Sequence, residues 1–138
     1  MADYAIAFEG VDHLEPFAMD ETGTLDLPKG YIPLEGPLLT KLPQDVGLDT
    51  IVLEGLPVRK ATLVSRKSPR KVTVEFEDFP YLGIWTAQKG VVTNYICIEP
   101  WSSLPDGHFM GRKLTDKPGI VVLAPGEQKT LTFRTSFE

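Results

Sequence analysis

Proline and glycine break this chain so often that no long window sustains a helical repeat: 12 prolines and 12 glycines are spread through 138 residues. Proline removes a backbone donor and glycine weakens a helix interior, so helices of ordinary length have nowhere to form. Between the breaks lie short apolar runs with a period of two. In "KVTVEFE", Lys71 to Glu77, Val72, Val74 and Phe76 point one way, while Thr73, Glu75 and Glu77 point the other. "YAIAF" alternates in the same sense, with Tyr4, Ile6 and Phe8 on one face. "TIVLE", "KATLVS", "YLGIWT", "VVTNYICI", "GIVVLA" and "KTLTFRT" are further candidate strands. "TAQKGV" reads as a hairpin turn that uses Gly90, and "APGE", Ala124 to Glu127, as another turn. "GPLLTKLPQD" holds one helical turn at most, and "DETGTLDLPKGYIPLEGP" reads as a long surface excursion without a domain boundary. The pattern predicts an all-β antiparallel sandwich, or part of one, with residues 1–138 forming a single domain.

A hydrophobic content of 42% supports a packed core, and the net charge of −5 argues against a nucleic-acid or anionic-membrane partner. No run approaches the roughly 20 apolar residues of a membrane span. "MADYAIAFEG" has neither the basic start nor the apolar stretch of a signal peptide. A single cysteine, Cys97, excludes an internal disulfide, and these features together point to the cytoplasm.

Few residues carry chemistry. The chain has no glycine-rich phosphate loop, no CxxC and no HExxH, and nothing in it calls for a metal or an organic cofactor. His13 and His108 stand in loop-like contexts, "GVDH" and "PDGH", and read as solvated loop residues. Cys97 reads as a buried structural thiol without a basic neighbour. "RKSPRK", Arg66 to Lys71, reads as a solvated hairpin turn. Glu99 stands out in "YICIEPWSSLPDG". It ends an apolar strand, shares a face with Thr93, Tyr95 and Cys97, and precedes Pro100, which holds it in extended backbone. A desolvated carboxylate there is either a base beside an aromatic surface or the strand-end partner of a nearby lysine or arginine.

Three blocks taken together resemble a known family: "FEDFPYLGIWTAQKG", "YICIEPWSSLPDG" and "LTDKPGIVVLAPGE". In order and spacing they are similar to the C-terminal half of galactose mutarotase-like proteins, the aldose 1-epimerase family, in its bacterial subgroup with Glu-Pro-Trp after the strand. Upstream, "LPQDVGLDTIVLEG" resembles the segment that carries an aspartate before a strand, with Thr50 where alanine is more usual, and "DYAIAFE" resembles a strand from the middle of the fold.

The resemblance implies part of a large antiparallel β-supersandwich and an aldose sugar as ligand. It implies anomer interconversion by acid–base chemistry that needs no cofactor. Glu99 matches the position of the base. Asp49 matches a residue that hydrogen-bonds sugar hydroxyls. Trp101 and Trp85 are candidate pocket walls, and His108 joins the substrate-binding set by its position in the loop after Glu-Pro-Trp. The family's histidines lie in N-terminal motifs such as His-Pro-x-Phe-Asn, which this chain lacks, so neither His13 nor His108 inherits the acid role. The expectation is therefore a mutarotase-like domain short of its acid. The alternative is a carbohydrate-binding or structural half-domain that needs a partner chain. In either case the strand edges left open favour self-association or pairing with the missing N-terminal half.

Overall fold

A computed structural model describes residues 3–87 and 95–138. The strands are β1 Tyr4–Phe8, β2 His13–Leu14, β3 Phe17–Met19, β4 Leu25–Pro28, β5 Ile32–Pro33, β6 Leu38–Leu39, β7 Thr50–Glu54, β8 Lys60–Ser65, β9 Lys71–Glu75, β10 Tyr81–Trp85, β11 Cys97–Trp101 and β12 Arg134–Phe137. Every strand pair is antiparallel. Among the described residues the only helical elements are single 3-10 turns, Pro43–Val46 and Leu114–Asp116, the first overlapping the end of the segment expected to hold one turn at most.

Two sheets face each other. One has five strands in the order β12-β9-β8-β1-β6, the other three in the order β11-β10-β7. The core between them takes Ile6, Phe8, Leu39, Ala61 and Val74 from the larger sheet and Ile51, Leu53, Leu82 and Ile84 from the smaller. Alternation carries through as the sequence predicts. Val74 and Phe76 are buried on the inner side, while Thr73 meets Thr62 on the outer side, hydroxyl to hydroxyl at 3.1 Å. "RKSPRK" is an exposed turn between β8 and β9, closed by Ser65 N–H donating to the Arg70 carbonyl at 3.3 Å. "APGE" is a turn as well, closed by Glu127 N–H on the Ala124 carbonyl at 3.0 Å.

Several expectations are corrected. Residues 20–37 are not mere surface excursion: they supply β4 and β5, and Leu25 and Ile32 reach the interior. "GIVVLA" forms no strand, and "KTLTFRT" becomes ladder only from Arg134, where β12 pairs with β9. Both runs have strand-type composition, but a strand needs a neighbour for its backbone groups as well as a propensity. The run before Glu99 begins as a strand only at Cys97 and continues through Trp101, so Glu99 lies in mid-strand and not at a strand end. The hairpin turn assigned to "TAQKGV" and Gly90, and Thr93, lie outside the described residues.

Pro100 is accommodated because β11 is the outer strand of its sheet, where a missing N–H need not cost a ladder bond. Within the core, Phe76 is fully buried. Replacing it by alanine is expected to cost about 3–5 kcal/mol in denaturant unfolding, whereas Leu27→Ala, at a side chain 56% exposed, should change stability by no more than about 0.5 kcal/mol.

Candidate functional site

Register divides the three-stranded sheet into two faces. Ile51, Leu53, Leu82, Ile84 and Ile98 look into the core. The opposite face follows from the alternation of side chains. Its rows are Thr50–Trp85–Cys97, Val52–Gly83–Glu99 and Glu54–Tyr81–Trp101, each running across β7, β10 and β11. Cross-strand neighbours on one face sit about 4.5–5.5 Å apart at Cβ, so Glu99, Trp85, Trp101 and Cys97 form one patch. A second apolar cluster covers the Trp101 end: Phe17, Leu25, Leu104 and Met110 pack there with Val52 and Tyr81.

Glu99 is half-buried, and its carboxylate Oε2 accepts a hydrogen bond from the Trp101 indole Nε1–H at 3.2 Å. Among the described residues no lysine or arginine forms an ion pair with it. Cys97 is half-buried, not fully buried as expected; burial, followed by the charge and hydrogen bond of Glu99, pushes its thiol pKa up. Such a thiol is a poor nucleophile. Trp85 packs against Tyr95 at 6.0 Å between ring centroids and closes the other end of the patch.

Asp49 is exposed, one residue before β7, and its carboxylate Oδ2 accepts a hydrogen bond from the Thr50 hydroxyl at 3.3 Å. It therefore flanks the Thr50–Trp85–Cys97 row, next to the row that holds Glu99. His108 belongs to a different construction. Its Nε2 is 2.8 Å from Asp20 Oδ2, and its N–H donates to the Leu25 carbonyl at 2.8 Å, tying the loop after β11 to the β3–β4 hairpin. His13 is solvated as expected, yet it stands in the short strand β2 with Asp12 and Glu15 on its ring nitrogens.

Two members of this face were not singled out from the sequence. Gly83 lies directly opposite Glu99, and the glycine inside "YLGIW" is itself the signal for a close approach. Glu54, at the end of "TIVLE", acts with burial on Tyr81: burial first, then the Glu54 charge and hydrogen bond, push the phenol pKa up. Concavities lie to either side of the patch. A groove of about 370 Å³ runs along Phe79, Pro100, Trp101, Ser102, Ser103 and Pro105. A cleft of about 670 Å³ between residues 10–15 and 53–57 reaches Glu54. Among the described residues no group of three or more His, Cys, Asp or Glu side chains is arranged to hold a metal ion, and no helix is long and apolar enough to cross a membrane.

This arrangement superposes on solved structures over nearly the whole chain. A galactose mutarotase related enzyme from Lactobacillus acidophilus matches with a TM-score of 0.81 and 24% identity, over 99% of this chain and 45% of that one. The chain has a galactose mutarotase-like fold. A galactose mutarotase-like protein from Lactobacillus casei ATCC 334 matches with a TM-score of 0.74 and 23% identity, over 99% of this chain and 47% of the other. In sequence, the mutarotase-like chain is 36% identical over 127 residues to the chromosomal and plasmid forms of protein LacX from Lactococcus lactis subsp. lactis. It spans 41% of the length of those relatives. No protein-family model matches it.

The clasp between Asp20 and His108 has a pH signature. Hydrogen bonds from the Thr22 hydroxyl, the Thr24 N–H and His108 hold the Asp20 carboxyl well below the usual aspartate range. A lowered folded-state pKa gives stability that is present above the ordinary value of about 3.9 and lost as the pH falls through the folded one. Asp20→Asn should therefore lower Tm at pH 7 and have a smaller effect when melting is followed in strong acid.

Proposed function

We propose that this chain presents the base-bearing part of an aldose site of mutarotase type, with Glu99 as general base. The observation that carries the proposal is the half-buried Glu99 carboxylate, fixed by an indole N–H on a sheet face that also bears Trp85 and Trp101 and has no side chain at Gly83. In the proposed step Glu99 takes the proton from the anomeric hydroxyl. The bond between the anomeric carbon and the ring oxygen breaks, and the ring oxygen receives a proton from a general acid. Rotation about the C1–C2 bond and reclosure then deliver the other anomer. Asp49 is assigned to sugar hydroxyls, Trp85 to the apolar face of the ring, and Trp101 to the pocket wall behind Glu99. His108 is assigned to the rim of the site. The single cysteine suits the reducing cytoplasm, where we place the chain.

The acid is expected from outside these residues. His108 is engaged with Asp20, and the chain spans less than half of the proteins it resembles. Support for a completing partner comes from the C-terminal run. Val122 is 70% exposed, Leu123 48% and Phe133 57%, in segments of strand composition without a ladder. Sugar binding or a structural role without turnover is the second reading, favoured by that same engagement of His108.

Polarimetry on α-glucose and α-galactose tests the catalytic reading. The chain alone should add little to the buffer rate. Supplied with the remaining part of LacX, it should accelerate mutarotation, and Glu99→Gln should cut that gain by roughly 10²- to 10⁴-fold. Rapid turnover by the chain alone that survives Glu99→Gln would overturn the assignment of the base. Association is tested by sedimentation. The chain should self-associate as its concentration rises, and Val122→Lys with Leu123→Lys should return it toward a monomer.

A further inference from the structure

We infer that Trp101 is a positioning residue for Glu99, and that Gly83 exists as a glycine to seat its ring; this rests on Glu99 being the base. Trp101 and Glu99 are two residues apart on β11 and share a face, and the indole N–H reaches Oε2 at 3.2 Å. The ring is not free to leave. A Cβ added to Gly83 would lie 2.7 Å from Cζ2, 3.0 Å from Cε2 and 3.2 Å from Cη2 of Trp101, so the indole lies directly against the main chain of β10. The ring also packs against the cluster of Phe17, Leu25, Val52, Tyr81 and Leu104.

The neighbouring strand thus fixes the ring, and the ring fixes the carboxylate. An indole nitrogen is a donor only, so it can hold an acceptor in place without competing for the proton in transfer. With Oε2 held by the indole, the carboxylate is kept in one orientation, and a remaining lone pair receives the anomeric proton as the substrate O–H bond breaks. Tryptophan in "CIEPW" acts on the substrate through the glutamate, and the glycine in "YLGIW" is its counterpart one strand away.

The test uses the two indole N–H resonances of the full chain, from Trp85 and Trp101, assigned with Trp85→Phe and Trp101→Phe. Glu99→Gln should move the Trp101 resonance and leave that of Trp85 nearly in place, and Gly83→Ala should move the Trp101 resonance as well. An unmoved Trp101 resonance in Glu99→Gln overturns the inference, whether or not the protein turns over sugar. In a preparation that does turn over, Trp101→Phe should lower kcat by about tenfold or more with KM little changed, since loss of alignment by about an ångström can cost up to about 100-fold. An unchanged kcat in Trp101→Phe, beside a dead Glu99→Gln, overturns the positioning role while leaving the base in place.

Discussion

The backbone ladder of β10 governs the geometry of this molecule. It pairs with β7 on one side and β11 on the other, residue for residue along its whole length. Tyr81, Leu82, Gly83 and Ile84 are all buried, so neither face of the strand is open to water. A strand covered on both faces tolerates no slip, because moving the register by one residue would turn Leu82 and Ile84 out of the core and drive Tyr81 and Trp85 into it. With β10 fixed, the rows on its outer face are fixed too. Glu99 falls opposite Gly83, and the tryptophans fall to either side.

The fold class was legible in the sequence because period-two alternation is local information. Val72, Val74 and Phe76 declare a face without reference to the rest of the chain. Pairing is not local, and composition alone does not show it. "GIVVLA" has the composition of a strand yet no ladder, and β4 and β5 hide in a stretch whose glycines, prolines and charges read as loop. Leu25 is buried in a cluster to which Val52, Tyr81 and Leu104 come from distant parts of the chain.

For the site, the sequence singles out Glu99 as a candidate but does not show its setting. The apolar run ends before Glu99, which makes it read as a strand end; at a sheet edge a proline is admitted and the strand runs on to Trp101. The short spacing from Glu99 to Trp101 is visible by inspection. The contact of Trp101 with Gly83 is not, since it depends on antiparallel register between segments with residues 88–94 between them. His108 counts toward the site by its place in the chain, and its contact with a hairpin aspartate is one that no local pattern announces.

The seat at Gly83 also constrains how this sequence can change over generations. Every single-nucleotide change that alters a glycine codon to another amino acid introduces a Cβ, and at this position a Cβ meets the six-membered ring of Trp101. A substitution at 83 therefore displaces the ring while the tryptophan stands, and with it the donor that meets the glutamate. The strain falls away where residue 101 is smaller, but there the indole donor is already gone. The two positions are thereby coupled, and a change at either one is felt at Glu99.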